Sequence, residues 1–219
     1  MKRCLFLGLL IATTLPAYQI SLVPGSVIGF NGMFSTGYLP FGVLDQQTGI
    51  VEEQSGTYWI NRDGGPADAW IVIDLGAAYR ITSFDLFNTH NSQGYDRGTG
   101  NFTIEASNAV QKADGAVGYR LDGVIRTLAA GTLLAESGDP ITAQSFTSMD
   151  TGAFYRYIRF SPHSVSSYDP PCCGSNVYGL SELRVFSDAF DVVPEPAAIV
   201  LLGGGLTAIA LWRRRMSAL

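Results

Sequence analysis

The sequence predicts an all-β protein domain, a β-sandwich, between an N-terminal signal helix and a single C-terminal transmembrane helix. Three observations predict the sandwich. Apolar and polar residues alternate over short runs, 25 glycines and 10 prolines supply turns, and no run has a convincing amphipathic helical period. Charged residues make up only 15% of the chain and apolar residues 47%, enough for one sizeable core.

The first element is residues 1–17, which have the pattern of a secretory signal peptide. Lys2 and Arg3 precede a short apolar run. Ala17, which follows Pro16, is a small residue after which the peptide could be cleaved. Cleavage after Ala17 would remove Cys4 with the peptide. A buried N-terminal helix is the alternative interpretation.

The second element is the domain of residues 18–188, where short strands follow one another. The predicted strands are 70–75, 81–88, 102–107, 132–136, 141–148, 155–160 and 180–186. Gly76 is expected to end the first of them. Two polar stretches, 88–101 and 161–179, are longer than ordinary connections, and loops of that length often carry function.

The third element, residues 189–219, combines three features in a fixed order. Pro194-Glu195-Pro196 precedes sixteen uncharged residues, 197–212, and then Arg213-Arg214-Arg215. The uncharged run would form a transmembrane helix of about 24 Å, short for a bilayer, with the arginines on the cytoplasmic side. This order resembles the PEP-CTERM sorting signal of Gram-negative bacteria. The resemblance implies cutting by an exosortase, a membrane protease-transpeptidase; an ordinary tail anchor is the alternative.

The charge of the chain limits its partners. The whole chain has a net charge of −5, and residues 18–188 hold nine Lys and Arg against seventeen Asp and Glu, a net charge of −8. Nucleic acid is excluded as a partner because its phosphates demand clustered cations. An acidic exported domain suits calcium or neutral sugars instead.

Three strand sequences resemble one family over roughly residues 35–187. Residues 70–76 form an apolar strand ending in Asp-Leu-Gly, 157–160 read Tyr-Ile-Arg-Phe, and 179–186 form a last strand containing Glu182. Together they resemble the discoidin, or coagulation-factor type C, domains among the galactose-binding-like jelly rolls. The resemblance implies a jelly-roll fold that binds ligands through loops at one end and leaves catalysis to other domains.

The resemblance also implies a structural calcium ion. In many galactose-binding-like domains the glutamate matching Glu182 helps bind calcium together with an early loop, where Asp45 fits best. A glutamate interrupting an apolar strand is usually paired or liganding, because an unpaired buried carboxylate is costly. A salt bridge with Arg159 or Arg184 is the alternative.

A sugar site needs an aromatic platform and polar side chains that recognise hydroxyl groups. The loops offer such residues, and the candidate ligand contacts are Trp59, Asn61, Arg62, Asn88, His90, Tyr95, Tyr168 and Tyr178. His90 and His163 are not spaced as a metal pair. Asp74 and Arg97 are expected to be structural, Asp74 by capping the turn at Gly76.

Two cysteines, Cys172 and Cys173, remain after signal removal. Adjacent cysteines rarely pair with each other, so a strained vicinal disulfide, an intermolecular disulfide and free thiols all stay open. The cysteine pair that joins the two ends of the sandwich in animal members of the family is absent from this sequence.

The chain is not expected to be an enzyme. Neither a Gly-x-Ser-x-Gly elbow, nor a His-Glu-x-x-His motif, nor a phosphate-binding glycine loop occurs in it. We expect a protein that is secreted, briefly held in the inner membrane, then released to the cell surface or an extracellular biofilm matrix, where it binds glycan or exopolysaccharide. A structural or adhesive matrix protein, or an undetected polysaccharide hydrolase, is the alternative.

Overall fold

Fifteen strands and two short 3-10 turns form the described part of the protein, residues 17–49, 57–61, 69–89, 97–166 and 177–188 of a computed structural model. The turns are Pro24–Ser26 and Pro40–Leu44. The strands are β1 Tyr18–Gln19, β2 Val27–Phe30, β3 Trp59–Ile60, β4 Ile71–Tyr79, β5 Ile81–Phe87, β6 Gly98–Thr99, β7 Asn101–Ser107, β8 Ala109–Lys112, β9 Val117–Asp122, β10 Arg126–Thr132, β11 Gln144–Thr147, β12 Tyr155–Pro162, β13 Val165–Ser166, β14 Gly179–Leu180 and β15 Glu182–Ser187.

Two sheets share one hydrophobic core. The smaller has the strand order β1-β15-β5-β11, and the larger β10-β7-β12-β4-β2-β9-β8. Alternate residues point inward, so Phe84 and Val185 of the small sheet and Ile104, Ile158 and Phe160 of the large one are completely buried. The predicted β-sandwich is confirmed, and the described residues contain no α-helix.

A third sheet consists of four strands of two residues each. Its order is β13-β6-β14-β3. The segments 62–68, 90–96 and 167–176 lie outside the described residues, and each has at least one flanking residue in or next to this sheet.

Several predicted strand boundaries are wrong, among them the start of 141–148, because β11 begins only at Gln144. β4 continues through Gly76, which has a φ of +83°, as far as Tyr79. The predicted strand 132–136 is not a strand beyond Thr132, where β10 ends. Here the carboxylate of Glu136 accepts hydrogen bonds from the backbone N–H groups of Gly138 (2.6 Å) and Thr142 (3.2 Å), which holds the chain in a turn instead of a ladder.

The sequence does not predict the hairpin of β8 and β9, which forms one edge of the large sheet. Only Asn108 separates β7 from β8, and β9 pairs with β2 as well as with β8. β9 also contacts β7 and β12. The hairpin therefore covers part of the outer face of the large sheet.

Within the ranges that the structure describes, no helix is long and apolar enough to cross a membrane. Of the predicted signal peptide 1–17 only Ala17 lies within those ranges, and the predicted transmembrane helix 197–212 lies outside them.

Candidate functional site

A cleft of about 800 Å³ lies between the outer face of the large sheet and the turn of the β8–β9 hairpin. We call it the sheet-face cleft. Its size falls within the range of about 300–1,000 Å³ that is usual for ligand sites. The side chains that matter for its chemistry are Asn31, Trp70, Glu105, Arg120, Arg159 and His163.

The floor of the sheet-face cleft carries an ion pair. Glu105 on β7 and Arg159 on β12 face each other in register, because both alternate with buried neighbours and point outward. The Nε of Arg159 donates to Oε2 of Glu105 at 3.0 Å, and Nη2 donates to the same oxygen. The two side chains keep 25% and 22% of their surface exposed. The floor therefore presents a rigid, charge-balanced pair to the cleft.

The wall beside β4 carries Trp70, which is half-buried. Its backbone N–H donates to Oδ1 of Asn31 at 2.7 Å, which fixes the start of β4 against the end of β2. At another edge, His163 lies with Nε2 3.0 Å from the hydroxyl of Thr103. The cleft thus combines an aromatic ring with planar polar groups.

The hairpin contributes Arg120 to the opposite wall. Its Nε and Nη2 lie 3.0 Å from the side-chain oxygen of Gln111, in the amide orientation that satisfies both groups. Asp114 and Arg120 both line the cleft, so the hairpin adds one charge of each sign. With Glu105 and Arg159, the formal charges of the cleft sum to zero when histidine is neutral.

The structure places the predicted aromatic contacts Trp59 and Tyr178 in the core. Trp59 is 0% exposed and its indole N–H donates to the carbonyl of Gly32 at 2.8 Å, while Tyr178 is 1% exposed. Trp59 also packs edge-on against Phe160. Neither ring has a face open to a ligand, which corrects their interpretation as a sugar platform.

The two predicted amide contacts are equally buried. Oδ1 of Asn61 accepts the backbone N–H of Tyr178 at 2.9 Å. Nδ2 of Asn88 donates to the carbonyls of Thr99 and Leu134, both at 2.9 Å, and its Oδ1 accepts the N–H of Thr99 at 2.8 Å. These amides join strands of the framework, so they too are corrected to structural residues.

The other four predicted contacts, Arg62, His90, Tyr95 and Tyr168, lie outside the described residues, as do Cys172 and Cys173. Their assignment remains a prediction.

The predicted calcium residues lie close together at the end of the second 3-10 turn. Glu182 is 0% exposed; its Oε2 accepts the N–H of Gln46 at 3.0 Å, and its Oε1 has no hydrogen-bond partner, with Arg184 Nε at 3.6 Å. Burial, aided by the nearby charge of Asp45, raises the pKa of Glu182 to about 8, against the opposing effects of Gln46 and Arg184.

An unsatisfied buried carboxylate oxygen beside a second carboxylate suits a hard cation with oxygen ligands. Gln46 adopts a left-handed φ of +66°, which turns the loop around Glu182. The described residues contain no group of three His, Cys, Asp or Glu side chains, so backbone carbonyls and water would have to complete the shell. The residues fit calcium on these terms, and Arg184 is the competing partner.

Asp74 and Arg97 have structural contacts. Oδ1 of Asp74 accepts the N–H of Gly76 at 2.8 Å, as predicted, and Arg156 binds the same carboxylate through two nitrogens at 3.0 and 3.1 Å. The guanidinium of Arg97 lies over the rings of Phe34 and Tyr38, about 6 Å from their centres. Cation–π contacts of this kind stabilise the fold modestly.

The fold is that of the galactose-binding-like sandwiches. A family 32 carbohydrate-binding module from Clostridium perfringens NanJ, solved with galactose, is 14% identical with a TM-score of 0.52, over 78% of this chain and 100% of that one. A second such module, from a family 31 glycoside hydrolase of the same organism, is 14% identical with a TM-score of 0.51, over 77% and 95%. A SusE-like protein is 17% identical with a TM-score of 0.57, over 79% and 68%.

The chain carries a PEP-CTERM protein-sorting motif. The motif model matches residues 192–215, which include the predicted Pro194-Glu195-Pro196 and the three arginines. The predicted sorting signal is therefore confirmed. No curated protein matches the chain.

Sequence reasoning missed the sheet-face cleft because it looked for ligand contacts only in loops. The sequence pattern that could have indicated the cleft lies in the strands. Glu105 stands between the apolar residues Ile104 and Ala106, and Arg159 stands between Ile158 and Phe160. Two opposite charges at outward positions suggest a pair, but only the register of β7 on β12 shows that they meet.

Proposed function

We propose that this protein is exported, processed by an exosortase-type protease, and binds glycan without catalysis at the cell surface or in an extracellular polysaccharide matrix. Two findings support the proposal. The sorting motif indicates export and passage through the inner membrane. The sandwich shares its fold with carbohydrate-binding modules, one of them solved with galactose.

The observation that carries the proposal is the combination of this fold with a cleft suited to sugars. Sugar rings have apolar faces and hydroxylated edges, so they pack on aromatic rings and bond to planar polar side chains. Trp70, Glu105 and Arg159 supply these groups in one cleft. The domain's net charge of −8 favours an uncharged glycan over a polyanion.

The ion pair of Glu105 supports binding without catalysis. Glycosidases need two carboxyl groups that flank the bond to be cut, one acting as an acid. In the cleft, Glu105 is held by two nitrogens of Arg159. Release of reducing sugar by the purified protein would instead favour the hydrolase alternative, since some similar structures come from glycoside hydrolases.

The test is affinity electrophoresis of the protein purified from its host, in gels containing galactan, dextran, cellulose derivatives or the host's own exopolysaccharide. We expect retardation in at least one neutral polysaccharide, with unchanged mobility in its absence. Concentration-dependent assembly without any retardation would favour the structural or adhesive alternative and contradict glycan binding.

We further propose that Asp45 and Glu182 hold a structural calcium ion. The support is the unpartnered buried Oε1 of Glu182 beside the Asp45 loop. Such an ion would tie the last strand to the turn after Leu44 and neutralise two carboxylates. It would have no direct part in ligand binding.

A further inference from the structure

We propose that the glycan occupies the sheet-face cleft, and that the site selects an uncharged glycan chain with vicinal hydroxyl groups. This inference rests on the proposed glycan-binding function and adds its location and ligand class. The location follows from where the structure leaves accessible aromatic and polar groups together: between the strands β7 and β12 and the turn of the β8–β9 hairpin.

The aromatic contact is Trp70. Among the described residues, Trp70 is the tryptophan that is only half-buried, and it lines the cleft. Its backbone N–H donates to Oδ1 of Asn31 at 2.7 Å. By contrast, Trp59 is sealed in the core. A sugar ring that packs on Trp70 would displace water from the apolar face of the indole ring.

The polar contact is the Glu105–Arg159 pair. Both donated bonds of Arg159 go to Oε2, and within the described residues Oε1 of Glu105 accepts no hydrogen bond. One free acceptor next to a planar guanidinium matches two neighbouring hydroxyls, one donating and one accepting. Because the pair is already formed, its charges need no reorganisation when a sugar arrives.

The charge of the site sets the ligand class. Glu105 and Asp114 balance Arg120 and Arg159 around the cleft, so an anionic sugar gains no net attraction there. The net charge of −8 on residues 18–188 repels a polyanion further. An uncharged chain faces no such barrier and can still use every donor and acceptor in the cleft.

The shape of the site suggests a chain rather than a single terminal sugar. The cleft is lined by the hairpin turn at Gly115, by the ion pair and by His163, and its volume of about 800 Å³ exceeds the needs of one sugar ring. We therefore expect affinity to rise with the number of sugar units.

The experiment measures dissociation constants by isothermal titration for the protein purified from its host. The probes are galactan oligosaccharides of increasing length, or oligosaccharides of whichever neutral polysaccharide retards the wild type, with polygalacturonate as the anionic counterpart. We expect Trp70→Ala to weaken binding at least tenfold and Glu105→Gln to weaken it several-fold. The control variant Tyr18→Ala, which removes an exposed aromatic ring outside the cleft, should stay within twofold.

The outcomes separate the two proposals. A wild-type protein that binds no glycan overturns the proposed function and this site with it. Wild-type binding that survives Trp70→Ala but is lost in Tyr95→Ala overturns the site alone, as does tighter binding of polygalacturonate than of the neutral oligosaccharide. If Trp70→Ala does not fold, Trp70→Phe should retain the fold and lose affinity by a smaller factor.

Discussion

At the scale of single residues, Glu182 gives the most direct test of the calcium proposal. We expect calcium to raise the melting temperature by several degrees, because an ion bound only by the folded state stabilises it. Glu182→Gln should abolish that rise while still folding, since glutamine keeps the size of the buried side chain. Differential scanning calorimetry with calcium and with chelator measures the effect.

The control for this test is Asp122→Asn, which removes an exposed carboxylate elsewhere in the domain and should leave the calcium response unchanged. A wild-type melting temperature that is the same with calcium and with chelator would contradict the calcium proposal. The 3.6 Å contact between Glu182 and Arg184 would then be the whole explanation of the buried carboxylate.

Glu136 provides the prediction on pH. Burial by itself would raise its pKa, but hydrogen bonds from Gly138, Thr142 and Ser137 outweigh burial and lower the pKa of this carboxyl. A lowered folded pKa means stabilisation that is present above the unfolded value of about 4.3 and is lost as the pH falls through the folded pKa. We expect Glu136→Gln to lose about 1–3 kcal/mol of unfolding free energy near pH 7.

The same Glu136→Gln substitution should cost less near pH 3 than near pH 7, because the stabilisation that comes with the lowered pKa is progressively lost below about pH 4.3. Urea denaturation at the two pH values gives both free energies. An equal loss at both would show that the side-chain charge does not matter and that the substitution acts through packing.

At the scale of elements, the hairpin of β8 and β9 depends on a close backbone contact. At Gly118, where φ is +75°, an added Cβ would lie 2.0 Å from the carbonyl oxygen of Ile28. Gly115 has a similar φ of +73° with nothing within 4 Å, which makes it a matched control. We expect Gly115→Ala to cost about 1 kcal/mol and Gly118→Ala to cost roughly 3 kcal/mol or more.

Urea denaturation measures the free energy of unfolding of Gly115→Ala and Gly118→Ala. Because both glycines have a positive φ, the difference between the two losses reports the close contact of Gly118 with Ile28. Because the hairpin forms one wall of the sheet-face cleft, Gly118→Ala should also weaken glycan binding. Equal free-energy losses in the two variants would mean that β9 can move away from β2 without consequence.

The strands show how far local sequence determines elements. The alternation around Phe102, Ile104 and Ala106 predicts β7 because each apolar side chain must face the core. The exposed strand β8 and the glycine-containing β9 carry no such alternation, since the hairpin lies on the outer face. The turn at Glu136 also escaped prediction, because its bonds join residues that look like a continuing strand.

At the scale of the whole molecule, the prediction concerns processing. We expect the intact mass of the mature protein from the native host to lack residues 1–17 and everything past about Pro196, because the proposed exosortase processing implies a cut near the tripeptide of the motif at 192–215. Mass spectrometry of separate membrane and medium fractions tests this. A membrane form that keeps Arg213–Arg215 would mean a plain anchor and contradict the sorting half of the proposal.

The sequence by itself determined the class of this protein. The alternation in the strands, the predicted signals at the two ends and the tripeptide with its arginines are all local patterns. Local patterns can be recognised in the sequence without knowledge of the fold. They predicted the sandwich and the sorting motif, and the fold and motif comparisons confirm both.

Only the tertiary structure decided which polar and aromatic residues are free to act. The sequence predicts Trp59 as a ligand contact and Trp70 as part of a strand, yet Trp59 is buried in the core and Trp70 lines a cleft. Glu105 and Arg159 are 54 residues apart and meet only through the register of two strands. Accessibility and proximity depend on how distant segments pack, and no local pattern encodes that packing.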